Sequence, residues 1–198
     1  HIVGGAIGVV ALVLCVIVAA VHGNGWGVVS GAIFGVTMIL LYTMSSIYHG
    51  LREGMGKRVL QVIDHCTIYS LIAGTYTPIL LSAMRPIDPV SSWILFAIVW
   101  SLAIVAIVLT AIDLKRYQAF SMICYIGIGW AIIFKIPLLV EAVGMDGFWL
   151  ILAGGVSYTV GAVLYGVGKK HHYIHGVFHI FVLGGSILHL LAILFYVL

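Results

Sequence analysis

Charge is scarce in this chain: only 8% of its 198 residues are Asp, Glu, Lys or Arg. A water-soluble domain carries roughly a quarter of its residues charged. A chain this apolar would expose extended sticky patches in water, so a soluble fold is excluded. Cysteine is rarer still. Cys15, Cys66 and Cys124 stand one each in three different apolar stretches, form no Cys-x-x-Cys pair and are odd in number, which argues against a disulfide framework and for small buried core residues. The net charge of +3, with no basic run anywhere, leaves nothing to dock nucleic acid. No polar linker, internal repeat or low-complexity tract divides the chain, so residues 1–198 are expected to form one domain. The first residue is His1 rather than Met, so a native N-terminal stretch is expected to precede it, and no targeting signal can be read.

What the chain has instead is hydrocarbon: 63% hydrophobic residues and a mean hydropathy of +1.24. Seven apolar stretches, at approximately 2–21, 27–49, 61–82, 91–112, 118–139, 148–167 and 174–197, are separated by short polar or charged breaks. Each is close to the roughly 20 residues that a helix needs to cross a bilayer. The expectation is an all-α membrane protein, a seven-transmembrane helix bundle whose solvent is the lipid bilayer. Alternate breaks differ in charge. Arg52, Lys57, Arg58, Lys115, Arg116, Lys169 and Lys170 fall on the side of the N-terminus, and only Arg85 and Lys135 on the other. The positive-inside rule therefore places the N-terminus in the cytoplasm and the C-terminus outside. Gly27, Gly31 and Gly35, and likewise Gly4 and Gly8, repeat every four residues, a spacing that lets helices approach closely in lipid. Trp26, Trp93 and Trp149 near span ends fit an interfacial aromatic belt.

Ionisable side chains inside a membrane are costly, and each requires a reason. The second span ends at Ser45-Ser46-Ile47-Tyr48-His49, the third carries Asp64-His65 near its start, and the seventh carries His175-Gly176-Val177-Phe178-His179 near its start. With alternating span direction, His49, Asp64, His175 and His179 all belong at cytoplasmic depth. The four-residue spacing of His175 and His179 puts both on one helix face, a geometry in which two imidazoles can bind one metal. Ser45 lies one turn deeper on the face of His49. Three imidazoles with an open fourth position resemble a catalytic zinc site, where a bound water reaches a pKa near 7. Imidazole also suits other transition metals. Asp64 suits holding or deprotonating such a water, or orienting a ligand histidine.

A plainer reading exists for each residue taken alone. A histidine pair near a helix end also suits headgroup contact or interhelical hydrogen bonding. Asp64 suits a helix N-terminus or a partner such as Lys57 or Arg58, and Ser45 suits helix packing. Their convergence at one depth favours the metal. His189, ten residues past His179 and so about 15 Å further along the helix, is expected to miss the cluster. His65, about 100° around the helix from Asp64, is expected to pack. His171 and His172 are expected in a loop, His22 on the opposite face, and Lys135 and Glu141 to snorkel to headgroups.

Taken in order, Ser45-x-x-x-His49, Asp64 followed by Ala73-Gly74-Thr75-Tyr76-Thr77-Pro78, and His175-x-x-x-His179 resemble the three signature motifs of the progestin and adiponectin Q receptor family. The short loops are most similar to its bacterial haemolysin III-like branch. The resemblance implies a zinc ion held by His49, His175 and His179, with Asp64 at the metal-bound water and Ser45 nearby. It implies a multi-pass protein of the bacterial inner (plasma) membrane whose substrate or ligand is a membrane lipid. It further implies ceramidase-type hydrolysis or a part in membrane lipid homeostasis. Two rivals stand beside a zinc-dependent lipid amide hydrolase. One is a non-catalytic lipid or fluidity sensor with structural zinc. The other is a cytolytic protein, which the family name alone suggests, since no amphipathic helix or polar pore stripe is evident. A retinal pump is disfavoured because the seventh stretch carries no Lys.

Overall fold

A computed structural model describes residues 2–167 and 172–198, and within them every side chain except those of Ile2, Val167 and residues 172–175. The helices are α1 (Ile2–Val21), α2 (Gly25–Gly50), α3 (Met55–Pro78), α4 (Pro89–Ile112), α5 (Gln118–Gly129), α6 (Ile136–Val167) and α7 (His172–Ala192). α3 and α7 run on into π-helical turns at Ile79–Met84 and Ile193–Val197, and a 3-10 turn, Ala131–Lys135, joins α5 to α6. The described residues contain no strand. In lipid this is the expected economy, because a helix satisfies its backbone polar groups internally.

Six stretches among the described residues are long and apolar enough to cross a membrane, against the seven expected. The difference lies in Gln118–Gly166, which counts as one 49-residue stretch. That stretch is not straight. At Gly144 the backbone takes φ 69° and ψ 175°, a conformation open essentially to glycine alone. Beyond it the chain doubles back: Gly166 packs on the Met122 side chain, and Trp130 Nε1 donates to Thr159 Oγ1 at 2.9 Å. The helical ends also differ from the apolar ends. α3 begins at Met55 rather than near residue 61, because backbone hydrogen bonding continues past the point where charged residues begin. Lys57, inside that first stretch of helix, pairs with Glu53 at 3.1 Å.

α1 and α4 form the outside of the bundle, and each buries one narrow stripe. On α4 the buried residues are Ser92, Leu95, Val99, Ala103, Ala106 and Thr110, the three- and four-residue spacing of one helix face. Ile94, Ile98, Leu102, Val105 and Ile112 lie exposed on its other side, which in water would be a liability and in lipid is the solvated face. The α1 stripe is made of small residues, Gly4, Gly8, Ala11, Cys15 and Ala19. It meets the glycines of α2. A Cβ at Gly35 would collide with the Leu12 backbone, and one at Gly31 would stand 2.9 Å from Cys15 Cβ. The two helices touch backbone to backbone, as the four-residue glycine repeat predicts.

Polar groups close the end opposite the charged loops. Asn24 caps α2 by accepting from the Gly27 N–H at 2.8 Å, and its Nδ2 donates to Ser82 Oγ at 2.6 Å. The Ser82 hydroxyl in turn donates to the Val197 carbonyl at 3.1 Å, tying both π-helical turns to α2. Asp88 caps α4. Hydrogen bonds from the hydroxyl and backbone N–H of Ser91 hold its carboxyl below the usual carboxylate range.

Candidate functional site

α2, α3, α5, α6 and α7 surround a largely apolar cavity of about 190 Å³, from which α1 and α4 are excluded. Bulky aromatics from four of these helices stand in its wall, among them Tyr42, Tyr76, Tyr125, Tyr158 and Tyr165. A smaller cavity of about 60 Å³ continues beyond it and shares Trp130, Gly155 and His189 as its wall.

The polar residues singled out in the sequence gather at one end. His49, in the last turn of α2, and His179, in the first half of α7, meet edge to face with ring centroids 5.2 Å apart and planes at 82°. Asp64 lies level with Ser45 on the neighbouring helices α3 and α2, and its carboxylate accepts a hydrogen bond from the Ser45 hydroxyl. Ser45 is buried, at 5% exposure, while His49 is exposed, so the pair grades from the interior to the rim. All four line the cavity. His175 belongs to α7, one turn before His179. Its side chain, like those of His172 and residues 169–171, lies outside the described residues. Among the described residues, no three or more His, Cys, Asp or Glu side chains are gathered closely enough to hold a metal ion. Two imidazoles in contact and a carboxylate on the adjoining helix are the donors on view, and both types ligate transition metals.

An aromatic collar surrounds this end, and the sequence reading did not single it out. Tyr48 packs beside His49 at 4.7 Å and carries the Lys57 ammonium over its ring at 5.7 Å. Phe178 packs beside His179 at 4.7 Å, and Tyr165 stands against Phe178 at 5.3 Å. One signal was available. Gly155, Tyr158, Thr159, Ala162 and Tyr165 recur at three- and four-residue spacing, so they form a single face of α6, and all five line the cavity.

His65, expected only to pack, is a wall residue with a defined hydrogen-bond pattern. Its Nδ1 lies 2.8 Å from the Gln61 carbonyl, which can only accept, so Nδ1 is the donor and Nε2 receives the Tyr165 O–H at 3.1 Å. Tyr125 donates to the His65 carbonyl at 3.1 Å. Deeper in the bundle, Ser186 Oγ lies 2.8 Å from Tyr42 Oη and 2.7 Å from Tyr158 Oη. Its own proton goes to the Val182 carbonyl at 3.1 Å, so both tyrosines donate to it. This saturated knot locks α2, α6 and α7 together at the cavity wall.

Apolar helices of membrane-spanning length, packed around a cavity with His49, His179 and Asp64 in its wall, define a polytopic membrane protein. Within that class the chain belongs to the haemolysin-III related family, whose profile matches residues 1–190. It is 40% identical over 198 residues to Hemolysin-3 of Bacillus cereus, covering 100% of this chain and 89% of the relative. It is 40% identical over 196 residues to the Hemolysin-3 homolog of Bacillus subtilis, covering 99% and 90%. The human Monocyte to macrophage differentiation factor is more distant, at 24% identity over 176 residues, 85% of this chain and 70% of the relative. The family expected from the three motifs is the family found.

Proposed function

We propose that the protein is a zinc-dependent hydrolase of the inner membrane that cleaves a ceramide-like lipid amide. The observation that carries this reading is the contact of His49 with His179. Helices far apart in the chain bring two imidazoles together at the rim of an apolar cavity, beside a hydrogen-bonded Ser45–Asp64 pair. The donor set suits zinc: His49 and His179 would hold it, with His175 completing the set from one turn before His179. When bound, zinc supplies a Lewis acid for the amide carbonyl.

The chain's own residues do the rest. The aromatic and aliphatic wall takes the hydrocarbon of the substrate and excludes water around it. Asp64 accepts a proton from the attacking water at a carboxylate oxygen and returns it to the leaving amine, bridging the two halves of the reaction. The Ser45 hydroxyl fixes which way the carboxylate faces. We also infer seven crossings, with the N-terminus in the cytoplasm. A continuous 49-residue helix would span about 74 Å, over twice the roughly 30 Å hydrocarbon core. The reversal at Gly144 supports two crossings in its place.

Metal content of the purified protein, read beside fatty-acid release from ceramide, tests the proposal. Wild type is expected to hold about one zinc per chain and to turn over. His179→Ala should lose the metal and at least about a hundredfold in rate. A metal-free His179→Ala with unchanged turnover would remove the catalytic role of the ion.

A further inference from the structure

His189 sits at the inner end of the main cavity, where the smaller one continues, and its surroundings are more exacting than packing requires. The ring is buried, at 7% exposure, and lines both the main cavity and its smaller continuation. Its Nδ1 is 2.9 Å from the Gly185 carbonyl one turn back on α7. Tyr158 stacks on it, with centroids 5.4 Å apart and planes within 19°. Two glycines make room for this pair. A Cβ at Gly154 would overlap the imidazole, and one at Gly185 would stand 2.9 Å from the Tyr158 ring. The plane and rotation of the ring are therefore set from several directions at once.

That setting leaves one atom over. A carbonyl only accepts, so Nδ1 carries the proton, and in the neutral ring Nε2 is a bare acceptor. Among the described residues Nε2 has no hydrogen-bonding partner. No buried side-chain nitrogen or oxygen among them lacks a partner. Nε2 must then face the cavity that the ring lines. The neighbouring Tyr42–Ser186–Tyr158 knot shows what a purely structural polar cluster looks like here, with its hydroxyl protons all placed. An acceptor held open in an apolar wall costs free energy until a donor meets it.

We infer that the inner end of the cavity is a second recognition point, where His189 Nε2 accepts a hydrogen bond from a hydroxyl carried on the hydrocarbon chain of the bound lipid. This rests on the reading of the cavity as a lipid site. The chemistry of the ligand follows from the acceptor. A hydroxyl can donate to Nε2, whereas a keto or ester oxygen cannot, so the site selects a hydroxylated chain over a plain or an oxidised one. Its position follows from the helix. His179 and His189 are ten residues apart on α7, about 15 Å along the axis, so the hydroxyl belongs that far from the group held at the mouth.

The test is a competition in native mass spectrometry on the delipidated full chain. Stearic acid competes in turn with each positional monohydroxystearic acid and with the matching ketostearic acids. Wild type is expected to prefer the hydroxy acid at one position, or two adjacent ones, by roughly two- to tenfold, and to show no preference for the keto acids. His189→Phe should lose the preference, whatever its affinity for stearic acid. His189→Gln, which keeps an acceptor, should retain part of it. Because the positional profile is read on the wild type, misfolding of a variant does not remove the test. A profile flat across positions, an equal preference for the keto acids, or a preference that survives His189→Phe overturns the inference. The first two leave the lipid-site reading standing if stearic acid binds, and such a result would mean that Nε2 serves only a trapped water. Failure of every fatty acid to bind overturns both.

Discussion

The two ends of the cavity put polar groups in an apolar bundle by opposite means. At the mouth, His49 and His179 touch across the gap between α2 and α7 near the rim, and one of them is exposed. At the inner end, Tyr42, Tyr158 and Ser186 satisfy one another, and His189 is clamped by a carbonyl, a stacked ring and a glycine. The mouth can rearrange around whatever it binds, because water at the rim compensates its polar groups. The interior cannot, since an unmatched polar group there has no water to turn to. Chemistry is better placed at the first end, and recognition at the second.

Substitutions can break this contrast. The largest effect is expected at the mouth on rate rather than on folding. Asp64→Asn should lower amide hydrolysis by about a hundred- to ten-thousandfold with the melting temperature nearly unchanged. A melting temperature that collapsed together with the activity would assign Asp64 a structural role. Next in size is a pair of alanines. Gly154→Ala drives a methyl into the His189 imidazole and should destabilise by about 1–3 kcal/mol. Gly56→Ala, whose Cβ meets nothing within 4 Å, should be neutral or stabilise by about 0.5 kcal/mol. Equal melting shifts for the two would show that the inner end is not tightly packed. The smallest effect is at the Ser186 knot, where Tyr42→Phe and Tyr158→Phe should each cost about 1 kcal/mol. Their sum should depart from the double mutant, because both hydroxyls converge on one acceptor. Strict additivity in a double-mutant unfolding cycle would dissolve the knot into two unrelated bonds.

Much of the mouth was legible in the sequence. Ionisable residues stand out against 63% hydrophobic composition, and alternating span direction is enough to assign Ser45, His49, Asp64 and His179 to one depth. The inner end was not legible. His189 was discounted for its helical distance from His179, and that same distance places it further along the wall of the cavity that His179 lines. Tyr165 and Phe178 were overlooked because an aromatic in an apolar helix carries no label until its neighbours are known. The stretch from 118 to 166 was read as two spans across its polar break near Gly144; helical hydrogen bonding runs nearly unbroken through it, and the backbone leaves the helical conformation at Gly144.

Composition and periodicity alone determined that the chain is helical, that lipid is its solvent and that a handful of polar side chains share one level. These follow from transfer free energies and a 1.5 Å rise, which act residue by residue. Only the tertiary structure decided that the level is the mouth of a cavity, that His49 meets His179 across it, and that one imidazole is left with an open nitrogen at the bottom. Those depend on which helix faces meet and how close glycine lets them come, and packing of that kind is a property of pairs of surfaces that no single stretch of chain contains.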